Sequence, residues 1–170
     1  SIRDAREADL EAMRAILNKE IRETTATWTT VQRSPRAMRR WWMDLRRDGY
    51  PTLVAMDGPR LLGYASYGRF RTWPGYWRTA ENSVYVHEEA RGKGVGRGLL
   101  TALSVRAKYQ GLANLVGVIG ADREGSLALH AACGYTEVGR LPEVGAKFGD
   151  TLDMVMMQKN LSNSARQTRF

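Results

Sequence analysis

The most legible chemistry in this chain lies between Arg91 and Gly98, where Gly92, Gly94, Gly96 and Gly98 alternate with Lys93, Val95 and Arg97 behind Arg91. Glycines allow a backbone to approach a ligand closely and to aim successive N–H groups at one point, and three basic side chains add full positive charge. Val84, Tyr85 and Val86 precede the turn and suit a central strand. Leu99, Leu100, Leu103 and Ala107 follow it at helical spacing, so the turn opens a helix whose dipole favours an anion at that end. Gripping a pyrophosphate is the chemistry this suits. The turn does not close with Gly-Lys-Ser/Thr, as a P-loop does, and its mid-chain position is not that of the first turn of a dinucleotide-binding fold. Taken alone, the glycines also describe a flexible connection before a helix.

The elements that must position this turn are read from periodicity. Ile2–Ala5 predicts a short strand, and Leu10, Met13, Ile16 and Leu17 mark an amphipathic helix over Asp9–Asn18, ended by the hydroxyl-rich stretch Thr24–Thr30. Ser34-Pro35 supplies an N-cap and a first-turn proline for a second helix to about Arg47, whose Trp41, Trp42 and Leu45 fall at core spacing. Two strands, Tyr50–Met56 and Leu61–Tyr67, flank the hairpin signal Asp57-Gly58-Pro59-Arg60. A loop from Phe70 to Arg78 leads into the strand that holds Glu81 and Val84–Val86. Beyond the glycine helix come a buried strand at Leu115–Ile119, a short helix Ser126–Cys133 stopped by Gly134, and strands at Tyr135–Arg140 and Leu152–Gln158. The order β-α-α-β-β-β-α-β-α-β-β predicts an α+β fold with one mixed, mostly antiparallel sheet between helices. There is no internal repeat.

Composition sets bounds. The 170 residues suit one domain, placed at 1–161, with a polar, basic tail at 162–170. Cys133 is the single cysteine, which excludes an internal disulfide and a cysteine metal cluster and suits a small core residue. With no membrane-length apolar run, a cytoplasmic protein free of membrane is expected. The net charge is +8, yet the cations are scattered rather than striped with aromatics, so a polyanionic cofactor accounts for the excess as well as nucleic acid does, and no nucleic-acid partner is expected.

The order Arg91-x-x-Gly94-x-Gly96 after Val-Tyr-Val resembles the acetyl-coenzyme A signature of the GNAT superfamily of N-acetyltransferases, whose fold has the same element order around a seven-stranded sheet. Further stretches resemble one branch, the phosphinothricin and methionine sulfoximine N-acetyltransferases: Thr24–Trp28, Gly49–Pro51, Gly63–Gly68, Glu81–Val86, Leu129–Tyr135 and Val144–Gly149. The resemblance spans nearly all of the chain except its last ten residues.

That resemblance implies roles. Val84, Tyr85 and Val86 would pair with the pantetheine arm of acetyl-CoA, and Arg91, Gly92, Lys93, Gly94, Val95, Gly96 and Arg97 would hold its pyrophosphate; no metal is called for. Glu81 matches the proposed general base and His130 a histidine proposed to act with it; an attacking amine must lose a proton, and burial raises a carboxyl towards the working pH. On the residues alone, a solvated side chain is an alternative reading of Glu81 at a strand end, Glu88, Glu89 or Glu143 remain alternative bases, His130 suits a core or helix-end position, and His87 belongs to the surface. A free amino acid needs a partner for its carboxylate, for which Arg71 is the first choice and Arg78 the second, with Trp28, Phe70, Trp73 and Tyr85 as apolar walls. Two departures stand out: Arg123 takes the place of an asparagine that contacts the cofactor, and Thr151 that of a tryptophan. The expected activity is acetylation of phosphinothricin, methionine sulfoximine or methionine sulfone by a homodimer. A protein N-terminus, a lysine or a polyamine is the alternative acceptor, and a non-catalytic acetyl-CoA or nucleic-acid binder the alternative class.

Overall fold

Gly58 takes φ 55° in front of Pro59, and Asp57 pairs with Arg60 across them. Positive φ followed by proline gives a two-residue II′-class turn, whose twist matches that of its strands. It joins β2 (Thr52–Asp57) to β3 (Arg60–Arg69). The structure is a computed structural model that describes residues 1–161; the basic tail expected at 162–170 lies outside the described residues. The remaining strands are β1 (Ile2–Asp4), β4 (Thr79–Val86), β5 (Asn114–Gly120), β6 (Thr136–Lys147) and β7 (Asp150–Asn160). They form one sheet in the order β1-β2-β3-β4-β5-β7-β6. Among the described residues only β4 and β5 run parallel, so the sheet is mixed and mostly antiparallel, as the sequence predicts. β6 and β7 extend well beyond the predicted spans, with irregular register between Leu141 and Gly145.

On one face lie α1 (Leu10–Glu23) and α2 (Pro35–Arg47). The first ends at Glu23, where the hydroxyl-rich stretch begins as expected, and Ile21 carries its buried stripe of Leu10, Met13, Ile16 and Leu17 beyond Asn18. Ser34 Oγ accepts the Ala37 N–H at 3.0 Å and Pro35 occupies the first turn of α2, as expected. These helices enclose Val54 and Tyr64, with Trp42 buried and Trp41 edge-on to Tyr64. On the other face, α3 (Val95–Tyr109) buries Leu99, Leu100, Leu103 and Ala107 against Ala65 and Tyr67 of β3. α4 (Glu124–Ala132) packs beside it. The three leucine side chains, excluded from water, contribute about 1.5–3 kcal/mol each.

The stop of α4 orders the residues around it. Gly134 sits at φ 89°, the Gly134 N–H donates to the Ala131 carbonyl, and the Tyr135 N–H donates to that of His130. This is a Schellman motif, and it folds the Tyr135 ring edge-on to the His130 imidazole, centroids 4.9 Å apart.

The segment 24–34 between α1 and α2 crosses the edge of the sheet as a strap. Asn18 holds its far end, accepting the Arg33 N–H and donating to the Arg33 carbonyl. Lys147, the one buried residue of β6, donates from Nζ to the carbonyls of Thr24 and Thr27, each at 2.6 Å. Trp28 lies over glycines of two strands: a Cβ built at Gly145 would come within 2.3 Å of its ring, and one at Gly120 within 3.6 Å of its indole nitrogen. Gly145→Ala is therefore expected to displace Trp28 and cost about 1–3 kcal/mol, seen as a fall in Tm of about 2–4 °C per kcal/mol. An unchanged thermal melt would show that the strap does not rest on this contact.

Candidate active site

The parallel ladder between β4 and β5 is short. It runs from Thr79 opposite Asn114 to Asn82 opposite Gly117, and there it stops. Beyond it, Ser83–Val86 and Val118–Gly120 part to line a cavity of about 700 Å³. On its other side β4 stays paired with β3 as far as Val86, so the open side of Ser83–Val86 is a strand edge without a ladder partner on β5. Such an edge takes an extended ligand in place of a strand.

The His130 imidazole occupies the fork. A Cβ at Gly117 would lie 2.9 Å from its Cδ2, and Asn82 Nδ2 lies 3.1 Å from its Nε2. Its Nδ1, 2.7 Å from the Ser126 carbonyl oxygen, must donate there, so Nε2 carries the lone pair and accepts from Asn82. Tyr135 O–H donates to Asn82 Oδ1 at 2.9 Å, which completes a saturated network. Burial pushes the imidazole below its ordinary pKa, with the Ser126 carbonyl pulling the other way. His130 is thus a neutral group inside the protein, not a helix-end cation.

The glycine turn forms the mouth. Gly94 caps α3 at φ 80° with no atom near its missing side chain; its conformation explains the glycine. Gly96 and Gly98 have a different reason. A Cβ at Gly96 would meet Leu129 Cδ2 at 2.9 Å, and one at Gly98 would meet Ile2 Cδ1 at 3.1 Å, so both are set by packing. The first-turn N–H groups of α3 have no partner within the helix and face an anion-favouring end. Val84, Tyr85, Val86, Arg91, Gly92, Gly94, Val95, Gly96, Arg97 and Arg123 all line the cavity, as does His130; Lys93 does not. Among the described residues no group of three or more His, Cys, Asp and Glu side chains could hold a metal ion, and no helix is long and apolar enough to cross a membrane.

Glu81 lies one residue before the fork, paired with Gly68 and Val116. By the two-residue period of a strand it shares the α1 and α2 face with Ser83 and Tyr85, both of which line the cavity. Glu81 itself does not line it, and it stands on the opposite face of β4 from Asn82 and His130. Burial pushes its carboxyl above the ordinary range against the pull of the Arg71 guanidinium. The other carboxylates considered as bases sit elsewhere. Glu88 is exposed and paired with Lys19 at 2.5 Å, Glu89 is exposed and paired with Arg60, and Glu143 lies in the irregular part of β6 at φ 55°.

The residues expected around an acceptor are less gathered. Arg71 is exposed, stacked at 4.3 Å on Phe70, and donates to the Phe70 carbonyl at 2.7 Å. Arg78 faces Trp77, while its carbonyl accepts the N–H groups of Ala113 and Asn114. Trp73 is 76% exposed, and Trp28 is taken up by its two glycine seats. Sequence reasoning missed Asn82 and Glu20. Both had a signal: each is a polar residue at an inward position of its element, Asn82 between Ala80 and Val84, and Glu20 on the stripe of Met13, Ile16 and Leu17.

Comparison with known proteins agrees with this geometry. The acetyltransferase (GNAT) domain family matches residues 2–156. An L-methionine sulfoximine/L-methionine sulfone acetyltransferase of Pseudomonas aeruginosa is 47% identical over 163 residues, 95% of this chain and 94% of its own. A phosphinothricin acetyltransferase from Sinorhizobium meliloti, solved in complex with acetyl-CoA, superposes with a TM-score of 0.95 at 33% identity, over 100% of this chain and 92% of that one. The structure of a ribosomal-protein-alanine N-acetyltransferase from Brucella melitensis gives 0.92 at 42% identity, over 94% and 99% of the two chains. With a forked parallel pair, a glycine-capped helix at its mouth and a family match across nearly its whole length, this chain belongs to the GNAT acetyltransferase family.

Proposed function

We propose that the protein transfers an acetyl group from acetyl-CoA to the amino group of a small amino acid analogue of the methionine sulfoximine, methionine sulfone or phosphinothricin kind. The observation that carries this reading is the fork: it joins a cavity mouth suited to a diphosphate with a strand whose other face bears Glu81. The residues fit the donor, because the mouth holds Gly94 in a conformation no side chain obstructs, basic Arg91 and Arg97 flank it, and the open edge of β4 suits an extended arm. The names of the Pseudomonas and Sinorhizobium relatives support the acceptor class.

Bound in the fork, acetyl-CoA supplies an activated acetyl group. The chain's own residues do the rest. Glu81, lifted in pKa by burial, takes the proton that the acceptor amine must lose, directly or through water. Arg71, close enough to perturb Glu81, pairs with the acceptor carboxylate and places the amine beside the base. His130 acts through Asn82: as a neutral wedge it fixes where β4 and β5 part, and hence where the amine and the acetyl group meet. A homodimer is part of this reading, with exposed Trp73 and Trp77 of the loop that carries Arg71 as surface for it to cover.

The direct experiment is release of free thiol from acetyl-CoA by purified protein with a panel of the three analogues, ordinary amino acids, polyamines and an alanine-first peptide. The panel includes that peptide because of the Brucella protein's name. Saturable turnover is expected with the analogues; turnover confined to the peptide or polyamines would move the acceptor class.

Glu81→Gln is expected to lower kcat by about 10²–10⁴-fold with coenzyme affinity unchanged. The sign of its pH effect comes from the raised pKa: activity climbs as pH rises through a limb above the ordinary carboxylate range, and the variant lacks that limb. Persistence of the same limb in Glu81→Gln would assign it to another group. Arg71→Ala is expected to raise the acceptor KM roughly 10- to 100-fold, the equivalent of one charge-assisted hydrogen bond, at nearly constant kcat. A fall in kcat at constant KM would remove its carboxylate-binding role.

A further inference from the structure

Glu20 occupies a core position on α1 yet carries a carboxylate, and its side chain is only 8% exposed. Oε2 accepts from the Thr24 hydroxyl at 2.7 Å, and Oε1 pairs with Arg91 Nη2. Arg91 is the first residue of the glycine turn. Its side chain is 49% exposed and its Nε lies 3.4 Å from the Val86 carbonyl oxygen. Both members of the pair line the cavity. A buried carboxylate must have a counter-charge, and here it takes one from the cations that ring the anion-binding mouth.

We propose that Glu20 is a built-in competitor for Arg91, holding down the affinity for the coenzyme's diphosphate so that the spent coenzyme can leave. The proposal rests on the reading of the turn as the diphosphate site. Two opposing effects decide its sign. Removing the Glu20 charge frees Arg91 from an ordered position, which costs the ordering of one side chain on binding. It also removes a fixed negative charge beside a diphosphate that carries two, in a cavity partly closed to water. The second effect is larger, because it acts on every phosphate oxygen at once and is screened little at short range. Affinity differences between related complexes lie mostly in the dissociation rate, so the competitor shortens the residence of the product.

Calorimetric binding of coenzyme A, and of pantetheine, which lacks phosphate, tests this with wild type, Glu20→Gln, Arg91→Met, the double variant and Gly94→Val. Glu20→Gln is expected to bind coenzyme A roughly three- to tenfold more tightly, with pantetheine unchanged. Arg91→Met should bind coenzyme A much more weakly, because it removes a cation from the mouth and leaves the Glu20 carboxylate without its ion pair beside the phosphates, with only the Lys147 ammonium nearby. Adding Glu20→Gln to Arg91→Met should recover most of that loss, a rescue that a purely structural Glu20 would not give. Glu20→Gln is isosteric and keeps the bond to Thr24, so its result stands whether or not Arg91→Met folds well. Unchanged or weaker coenzyme A binding by Glu20→Gln, or a double variant no better than Arg91→Met, would overturn the proposal. Full coenzyme A affinity in Gly94→Val would instead displace the diphosphate from this turn and remove the reading beneath it. Loss of affinity in Gly94→Val without tightening in Glu20→Gln would remove the competitor alone.

Discussion

Everything in the cavity depends on where two neighbouring strands stop pairing. Parallel strands gain from continued pairing, and nothing in the residue types of Ser83–Val86 or Val118–Gly120 forbids it. Where they part, an imidazole is seated over Gly117 and bonded to Asn82, the last pair of the ladder. The imidazole is held by α4 through Ser126, and Asn82 is held from its other side by Tyr135. Breaking any one of these bonds would leave a buried polar group without a partner, so the fork is stabilised as a unit.

From that point the two faces of β4 serve different ends. Asn82 and its partners belong to the side of α3 and α4, where the glycine turn makes the mouth. Glu81, Ser83 and Tyr85 belong to the side of α1 and α2. The strap is fastened by a lysine ammonium set into its own carbonyls, next to the ring of Phe148 at 4.8 Å. Burial pushes that ammonium below its ordinary pKa. A loop that would otherwise lie loose over the sheet edge thereby becomes a wall, with Ala26 on the cavity side.

The order of elements was legible because the periodicities are clean. Ser34-Pro35, Gly58-Pro59 and Gly134 each did the local job their types require, and the turn at Arg91–Arg97 lies at the cavity as its residue types imply. The limits of that reading are equally physical. His130 reads as a core or helix-end residue until a Schellman turn brings Tyr135 against it. The acceptor-side residues were hardest, because Arg71, Phe70 and Trp73 sit on a loop whose path no period encodes, and Trp28 is spoken for by glycines more than ninety residues away. Glu20 was visible as a charge at a stripe position, but its partner lies seventy-one residues on, and no pattern in one sequence links them.

The four glycines of the turn carry a wider consequence. Two of them, Gly92 and Gly94, take positive φ, whereas Gly96 and Gly98 yield space to Leu129 and Ile2. The motif is therefore a composite of two messages written in one letter: part sets the path of the backbone at the cavity mouth and part makes room for neighbouring elements of the same chain. A descendant that lost its ligand but kept α4 against α3 would retain half of the signature, and a scan by pattern alone would still report it. Reading which half survives, rather than whether the pattern is present, is what separates an inherited scaffold from a working grip.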